Sequence, residues 1–242
     1  MPDGHKTHIA KASADRVEVR GRDLAGDRMG RLTLTEYFHV LLTGDEPTEE
    51  QRFFLDLVLV AIAEHGLMPS NVAARMTLAA DPSSLQGAVA AGLLGAGSVI
   101  LGTSGECARL LEADKEPLQL ARAVRDAGDK MPGFGHPVHR PVDPRAERIL
   151  ELADERGVSG RNVARARALR DAVAEVWDMH LPMNVAMAIA AVMLDLGFSV
   201  DAVRAVPILG RTAGLLAHLA EERQEPIGLF LGTVAEDAVE YE

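Results

Sequence analysis

The chain has 242 residues, 48% hydrophobic and 25% charged, the balance of an ordinary globular protein with one sizeable core or two small ones. No apolar run approaches the roughly 20 residues needed to cross a bilayer, and the polar start MPDGHKTHIAK lacks a signal peptide's apolar stretch. A cytoplasmic protein without a membrane partner is therefore expected, and the net charge of −11 argues against a nucleic-acid partner.

Ala, Leu, Arg and Glu dominate, aromatics are 4%, and β-branched runs are short, so helix propensity wins almost everywhere. Only the segment 17–20 near the start resembles a strand. Thr33 with Glu36 reads as a capping box opening a helix that Gly44 ends; Thr48 with Gln51 opens a second, closed by Gly66. Phe54, Leu57, Val58 and Ala61 give that second helix one buried face.

Further helices are predicted over about 84–94, 105–113, 117–127, 144–156, 163–177, 183–196 and 208–222. Residues 85–97 hold Gly87, Ala88, Ala90, Ala91, Gly92, Gly95 and Gly97, small side chains that let helices approach closely, as a dimer interface would require. The single cysteine, Cys107, cannot form an internal disulfide and reads as a small packing residue. Asp143 before Pro144 suits an N-cap and first-turn pair.

The longest irregular stretch, 128–142, leads through KMPGFGHPVHRPVDPR and gathers glycines, histidines and arginines. Its His136 and His139 form His-x-x-His. A proline-containing loop lacks the helical geometry of zinc metalloproteases, so no metal is expected.

Pro132, Gly133, Phe134, Gly135, His136, Arg140, Asp143, Pro144 and Arg145 stand at the spacing of a citrate synthase segment. VRGRDL, LTEYFHVLLTGDEPT, AEHGLMPSNVAAR, LPMNV and LGRTAGLLAH resemble further segments in the same order, so the likeness covers most of residues 17–223. The chain is thus similar to the citrate synthase superfamily. Lacking the long N-terminal part of full citrate synthases, and with its Gly-Phe-Gly-His-Pro-Val-His wording, it resembles the short citryl-CoA lyase-like branch.

The resemblance implies an all-α fold, with a large dimer-forming helical domain of residues 1–113 and 207–242 and a small CoA-binding domain of residues 114–206. It implies that Met131, Pro132, Gly133, Phe134 and Gly135 hold the adenine end of coenzyme A through backbone groups, and that Arg140 faces its phosphates. His65, Arg145 and Arg211 match positions that hold the carboxylates of oxaloacetate or citrate, for which planar guanidinium groups are well suited. A homodimer or higher homo-oligomer is expected.

Of the family's two catalytic histidines and one aspartate, this chain keeps His136. Leu101 falls where the enolate-stabilising histidine would lie, and Ala186 where the base aspartate would be. Alanine cannot remove an α-proton. Cleavage needs a base at a tertiary hydroxyl, enolate stabilisation and a proton for the leaving carbon. His136 is assigned the first role and Gly102, Thr103 and Ser104 the second. The proton is assigned to His139 ahead of water, His180 or Asp178.

The expected function is a CoA-dependent carbon–carbon lyase acting on citryl-CoA or a similar 3-hydroxy-3-carboxyacyl-CoA. A citrate synthase-like condensing enzyme and a catalytically silent CoA-binding subunit remain alternatives.

Overall fold

The computed structural model describes residues 5–241; residues 1–4 and 242 of the predicted large domain lie outside them. The chain divides into two compact units, residues 1–56 and 57–242. Among the described residues it is all-α apart from one small sheet.

In the first unit, β1 (Ala10–Ala12), β2 (Val17–Val19) and β3 (Arg22–Asp23) form an antiparallel meander, with Ala10 opposite Val19 and Glu18 opposite Asp23. A π-helical turn, Leu24–Arg28, follows. Helix α1 (Leu34–Thr43) starts at the expected capping box, with the Thr33 N–H donating to Glu36 Oε2 at 2.8 Å, and stops at Gly44, whose φ of 95° is left-handed. Helix α2 (Glu49–Ala63) carries the reciprocal Thr48–Gln51 cap and continues into the second unit.

The second unit comprises α3 (Pro69–Ala80), α4 (Leu85–Ala96), a π-helical turn (Gly97–Leu101), α5 (Thr103–Glu112), α6 (Pro117–Asp126), α7 (Pro144–Glu155), α8 (Arg161–Trp177), α9 (Val185–Asp195), α10 (Val200–Glu222) and α11 (Gly228–Asp237). Its centre is α9, VAMAIAAVMLD, which is apolar all round and buries nearly every side chain against α5, α7, α8 and α10. A second cluster joins Ala74 and Leu78 of α3, Ala88 of α4, and Leu215 and Leu219 of α10. Close approach there depends on Gly92: a Cβ at that position would lie 2.7 Å from the Leu215 side chain.

Three segments depart from the sequence pattern. No helix was expected between Gly66 and about residue 84, yet α3 fills it, with Pro69 in its first turn, where the missing N–H costs nothing. Helix α10 begins at Val200 rather than after Pro207, because Ser199 caps it and the proline is carried inside the helix. Helix α11 carries exposed apolar residues, Leu229 and Phe230, where a one-sided buried stripe would have announced a helix.

The expectation that no stretch is long and apolar enough for a bilayer is also corrected. Leu85–Glu112 is helical over 28 residues, with a window of mean hydropathy 1.6 of which 22% is buried.

Candidate active site

The irregular segment after α6 is clasped to the chain entering α9. Phe134 bridges Met183 in antiparallel register; the Gly135 N–H donates to the Pro182 carbonyl at 2.8 Å and the Asn184 N–H to the Gly133 carbonyl at 2.9 Å. Asn184 Nδ2 adds a bond to the Gly135 carbonyl at 3.1 Å, while its Oδ1 caps α9 by accepting from the Ala186 N–H.

Gly133 sits at φ 82°, and a Cβ there would lie 2.7 Å from Cys107 Sγ and 2.8 Å from Met187 Cβ. Gly133→Ala is therefore expected to destabilise the fold by about 2–4 kcal/mol, combining left-handed strain with overpacking. A lowered denaturant midpoint at unchanged slope is the measurement. Cys107 is buried there as a packing residue, and burial pushes its thiol far above the ordinary range.

On one side of the clasp lies a cleft of about 290 Å³. His65, His136, Arg145, Asn184 and Arg211 line it, opposite Ile62, Met68, Val99, Ile100, Val185 and Ala186. An adjoining cavity of about 610 Å³ is lined by Lys130 and the 131–135 segment, and shares Val99, Thr103, Gly135, His136, Pro137 and Asn184 with the cleft. Met131 and Phe134 are buried, as close packing of the clasp demands. Arg140 is exposed and lines neither space. Lys130 is the cation at the cavity; directly before the motif, it carried no signal of its own.

Asp143 caps α7 by accepting the Arg145 N–H and takes that residue's guanidinium fork, Nε at 3.0 Å and Nη2 at 2.9 Å. It also accepts the Val185 N–H at 3.0 Å. Burial alone would raise the Asp143 carboxyl; the guanidinium and the backbone donors overcome it and hold it below its usual range. Arg145 is thereby fixed with its Nη2 3.4 Å from His136 Nε2.

Arg211, on α10, is only 2% exposed. Among the described residues its one acceptor is Asn71 Oδ1, 3.5 Å from Nη1, and its buried Nε has no partner. Burial and the Arg145 charge pull this guanidinium down, with Glu64 opposing. Glu64 orders the wall behind it. Its carboxylate accepts the His65 and Gly66 N–H groups at 2.8 and 2.6 Å, Asn71 Nδ2 at 3.1 Å, and pairs with His218 Nε2 at 2.9 Å. His218 Nδ1 in turn accepts from Arg75 Nε at 3.0 Å, and Arg75 is paired with Glu222 and Glu221.

Three histidines meet at the cleft. His136 and His139 stack with centroids 4.3 Å apart, and His65 stands edge-on to both at 5.2 Å. His65 Nε2 is 3.0 Å from His139 Nε2. His136 Nδ1 accepts the backbone N–H groups of Val138 and His139 at 3.1 and 2.9 Å. The two backbone bonds at 2.9 and 3.1 Å favour the neutral tautomer with its proton on Nε2 over the one in which Nε2 accepts from Arg145 Nη2 at the longer 3.4 Å. In that tautomer His136 offers a hydrogen-bond donor toward the cleft, whereas the sequence reading gave it the role of proton acceptor.

Nitrogens of the three rings lie within 4.8 Å of one another, as three ligands of one cation would.

His65 and His136 are both held below their ordinary range, first by burial and then by neighbouring positive charge, chiefly Arg145 for His65 and His139 for His136. The unfolded chain therefore takes up these protons first, and falling pH favours it. Their contribution to stability should be complete above about pH 6.5 and be lost below it as pH falls through the depressed native values. Denaturant midpoints measured across this range should flatten in a His65→Gln, His136→Gln double variant.

Residues 7–228 match the family described as citrate synthase, C-terminal domain. The chain belongs to the citrate synthase family. It is 28% identical over 197 residues to a citrate synthase of Haloferax volcanii, covering 78% of this chain and 51% of that protein. It is also 28% identical over 197 residues to citrate synthase 2 of Bacillus subtilis, covering 78% and 52%. The chain spans about half the length of these relatives.

Among solved structures, citryl-CoA lyase from Hydrogenobacter thermophilus superposes with a TM-score of 0.82 at 28% identity, covering 90% of this chain and 86% of that one. An ATP citrate lyase of Methanosaeta concilii in complex with (3S)-citryl-CoA superposes at 0.83 and 21% identity, covering 100% and 42%, a likeness of fold.

The two positions that the sequence reading set against the family's catalytic residues differ in kind. Ala186 lines the cleft and leaves it without a carboxylate there. Leu101 is buried and faces a small separate cavity with Leu93, Arg204 and Ile208; Val99 and Ile100 of the π-helical turn face the cleft instead.

Of the expected enolate donors, one backbone amide and two hydroxyls are engaged within the protein. The Gly102 N–H bonds the Gly97 carbonyl, Ser104 Oγ bonds the carbonyls of Leu101 and Val203, and Thr103 Oγ1 donates to the Val99 carbonyl at 2.7 Å. His180 is bonded to the Pro141 carbonyl and Asp178 ends α8; neither lines the cleft or the adjoining cavity.

Proposed function

We propose that this protein is a CoA-dependent carbon–carbon lyase that cleaves citryl-CoA, or a similar 3-hydroxy-3-carboxyacyl-CoA, to acetyl-CoA and an oxo acid such as oxaloacetate. The observation that carries this is Arg211: a buried guanidinium that, among the described residues, has no carboxylate within hydrogen-bond reach, lining the cleft beside Arg145. A buried cation left uncompensated is costly, so a wall of this kind suits an anionic ligand.

In this reading the two arginines hold the substrate carboxylates, and the His136 Nε2–H bonds the oxygen of the carbinol carbon. The thioester arm extends into the adjoining cavity along the 131–135 backbone, with Lys130 and Arg140 as the cations available to its phosphates. Ala186 favours cleavage over condensation. An enolate released by cleavage takes a proton from a nearby acid or water, whereas forming one from acetyl-CoA demands a strong local base.

Purified protein incubated with a panel of CoA thioesters, with free CoA and acetyl-CoA followed by mass spectrometry, tests the proposal. Release of acetyl-CoA and an oxo acid from citryl-CoA is expected. CoA binding without turnover of any thioester would replace the lyase by a silent CoA-binding subunit. Calorimetry with Lys130→Ala and Arg140→Ala separates the two cations, and loss of a charge-assisted phosphate contact costs about 1.5–3 kcal/mol.

We also propose a homodimer, supported by the apolar and largely unburied helical stretch Leu85–Glu112, on which Leu94 is 81% exposed. Leu94→Glu should shift the protein to a smaller species in size-exclusion chromatography with light scattering, because a charge buried in an apolar interface has no partner.

A further inference from the structure

We propose that His139, reached through His65, is the group that takes up the proton of the substrate's tertiary hydroxyl. This role rests on the lyase reading above.

The cleft needs a proton acceptor and has few to offer. His136 has spent its lone pair on two backbone N–H groups. Asp143 is fully buried and saturated by Arg145 and Val185, and Glu64 is occupied by His65, Gly66, Asn71 and His218. Ala186 supplies nothing. What remains is the His65–His139 pair. Two Nε2 atoms 3.0 Å apart must share one hydrogen, one ring donating and the other accepting.

With His65 as donor, its Nδ1 holds a free lone pair, and that nitrogen has no hydrogen-bond partner among the described residues. His65 lines the cleft, so a proton accepted at Nδ1 can be matched by transfer of the Nε2 proton to His139 Nε2. The positive charge then rests on His139, the outer member of the pair. Burial and Arg145 make a charge on His65 itself unfavourable. The position of His139 is fixed from two sides, by its stack on His136 and by its own N–H bond to His136 Nδ1.

The step balances. The O–H electron pair becomes the second carbon–oxygen bond of the oxo acid, and the hydroxyl proton passes to the imidazole pair. The carbon–carbon bond breaks with its electrons entering the thioester enolate. The enolate carbon is then protonated, by the pair or by water while the pair releases its proton, with no net gain or loss.

The test compares His139→Gln and His139→Ala with the wild-type protein on the thioester it cleaves, with CoA binding followed by calorimetry as a control for folding. Glutamine keeps a hydrogen bond to His65 and cannot carry the proton. Both variants are expected to lose about a hundredfold in kcat with little change in KM, and added imidazole should restore a saturable part of the His139→Ala activity. Retained turnover in His139→Gln, or no restoration by imidazole, would overturn the proposal while leaving the lyase standing. A wild-type protein that binds CoA and cleaves nothing would overturn both.

Discussion

Asp143→Ala is expected to cost the fold about 3–5 kcal/mol, the scale on which breaking one partner out of a buried, hydrogen-bonded ion pair is felt. The side chain is wholly buried and serves four donors from three directions: the Arg145 fork, the Arg145 N–H that starts α7, and the Val185 N–H that starts α9. Removing it uncaps one helix, strands a buried amide at the other, and frees the guanidinium beside His136. Chemical denaturation should show a lower midpoint with little change in slope. In an Asp143→Ala, Arg145→Ala cycle the double variant should lose less than the sum of the single losses, since the second change removes the stranded charge. Additive losses would mean that the pair is not a unit.

How much of this was legible in sequence depends on whether a residue works through its neighbours in the chain or across the fold. The 132–145 motif could be read because its spacing is local: Gly133 and Gly135 turn the backbone at φ 82° and 84°, and Asp143 reaches Arg145 two residues away. The capping boxes at Thr33 and Thr48 are local for the same reason. Arg211 came from resemblance, and its want of a partner became visible only once α10 was set against Asn71.

Glu64, Asn71, His218 and Arg75 gave no signal, since their bonds span up to 154 positions and each alone is an ordinary polar residue on a helix or at its end. Leu101 shows a related limit. Resemblance alone set it at a catalytic position, while in the structure a π-helical turn puts Val99 and Ile100 at the cleft and Leu101 at a separate cavity. Proton positions lie further still from sequence: nothing in Gly-His-Pro-Val-His says that two later N–H groups fold back onto Nδ1 of the first histidine.

That fold-back decides what His136 does and yields the largest expected effect on catalysis. As the Nε2–H tautomer it offers a donor to the oxygen whose charge changes as the carbon–carbon bond breaks, and loss of one such preorganised donor costs about 10²–10³ in kcat. His136→Ala should lose that much while calorimetry shows CoA binding little altered, because the 131–135 segment is held independently by its clasp to Pro182, Met183 and Asn184.

His136→Gln separates a donor from a base. A glutamine amide can point an N–H into the cleft and accept a backbone N–H with its oxygen, but it takes no proton at neutral pH. If His136 donates, His136→Gln should keep roughly tenfold more turnover than His136→Ala, about what one hydrogen bond is worth. Equal loss in the two variants would make His136 the proton acceptor after all, and would require the Val138 and His139 N–H bonds to open during the reaction.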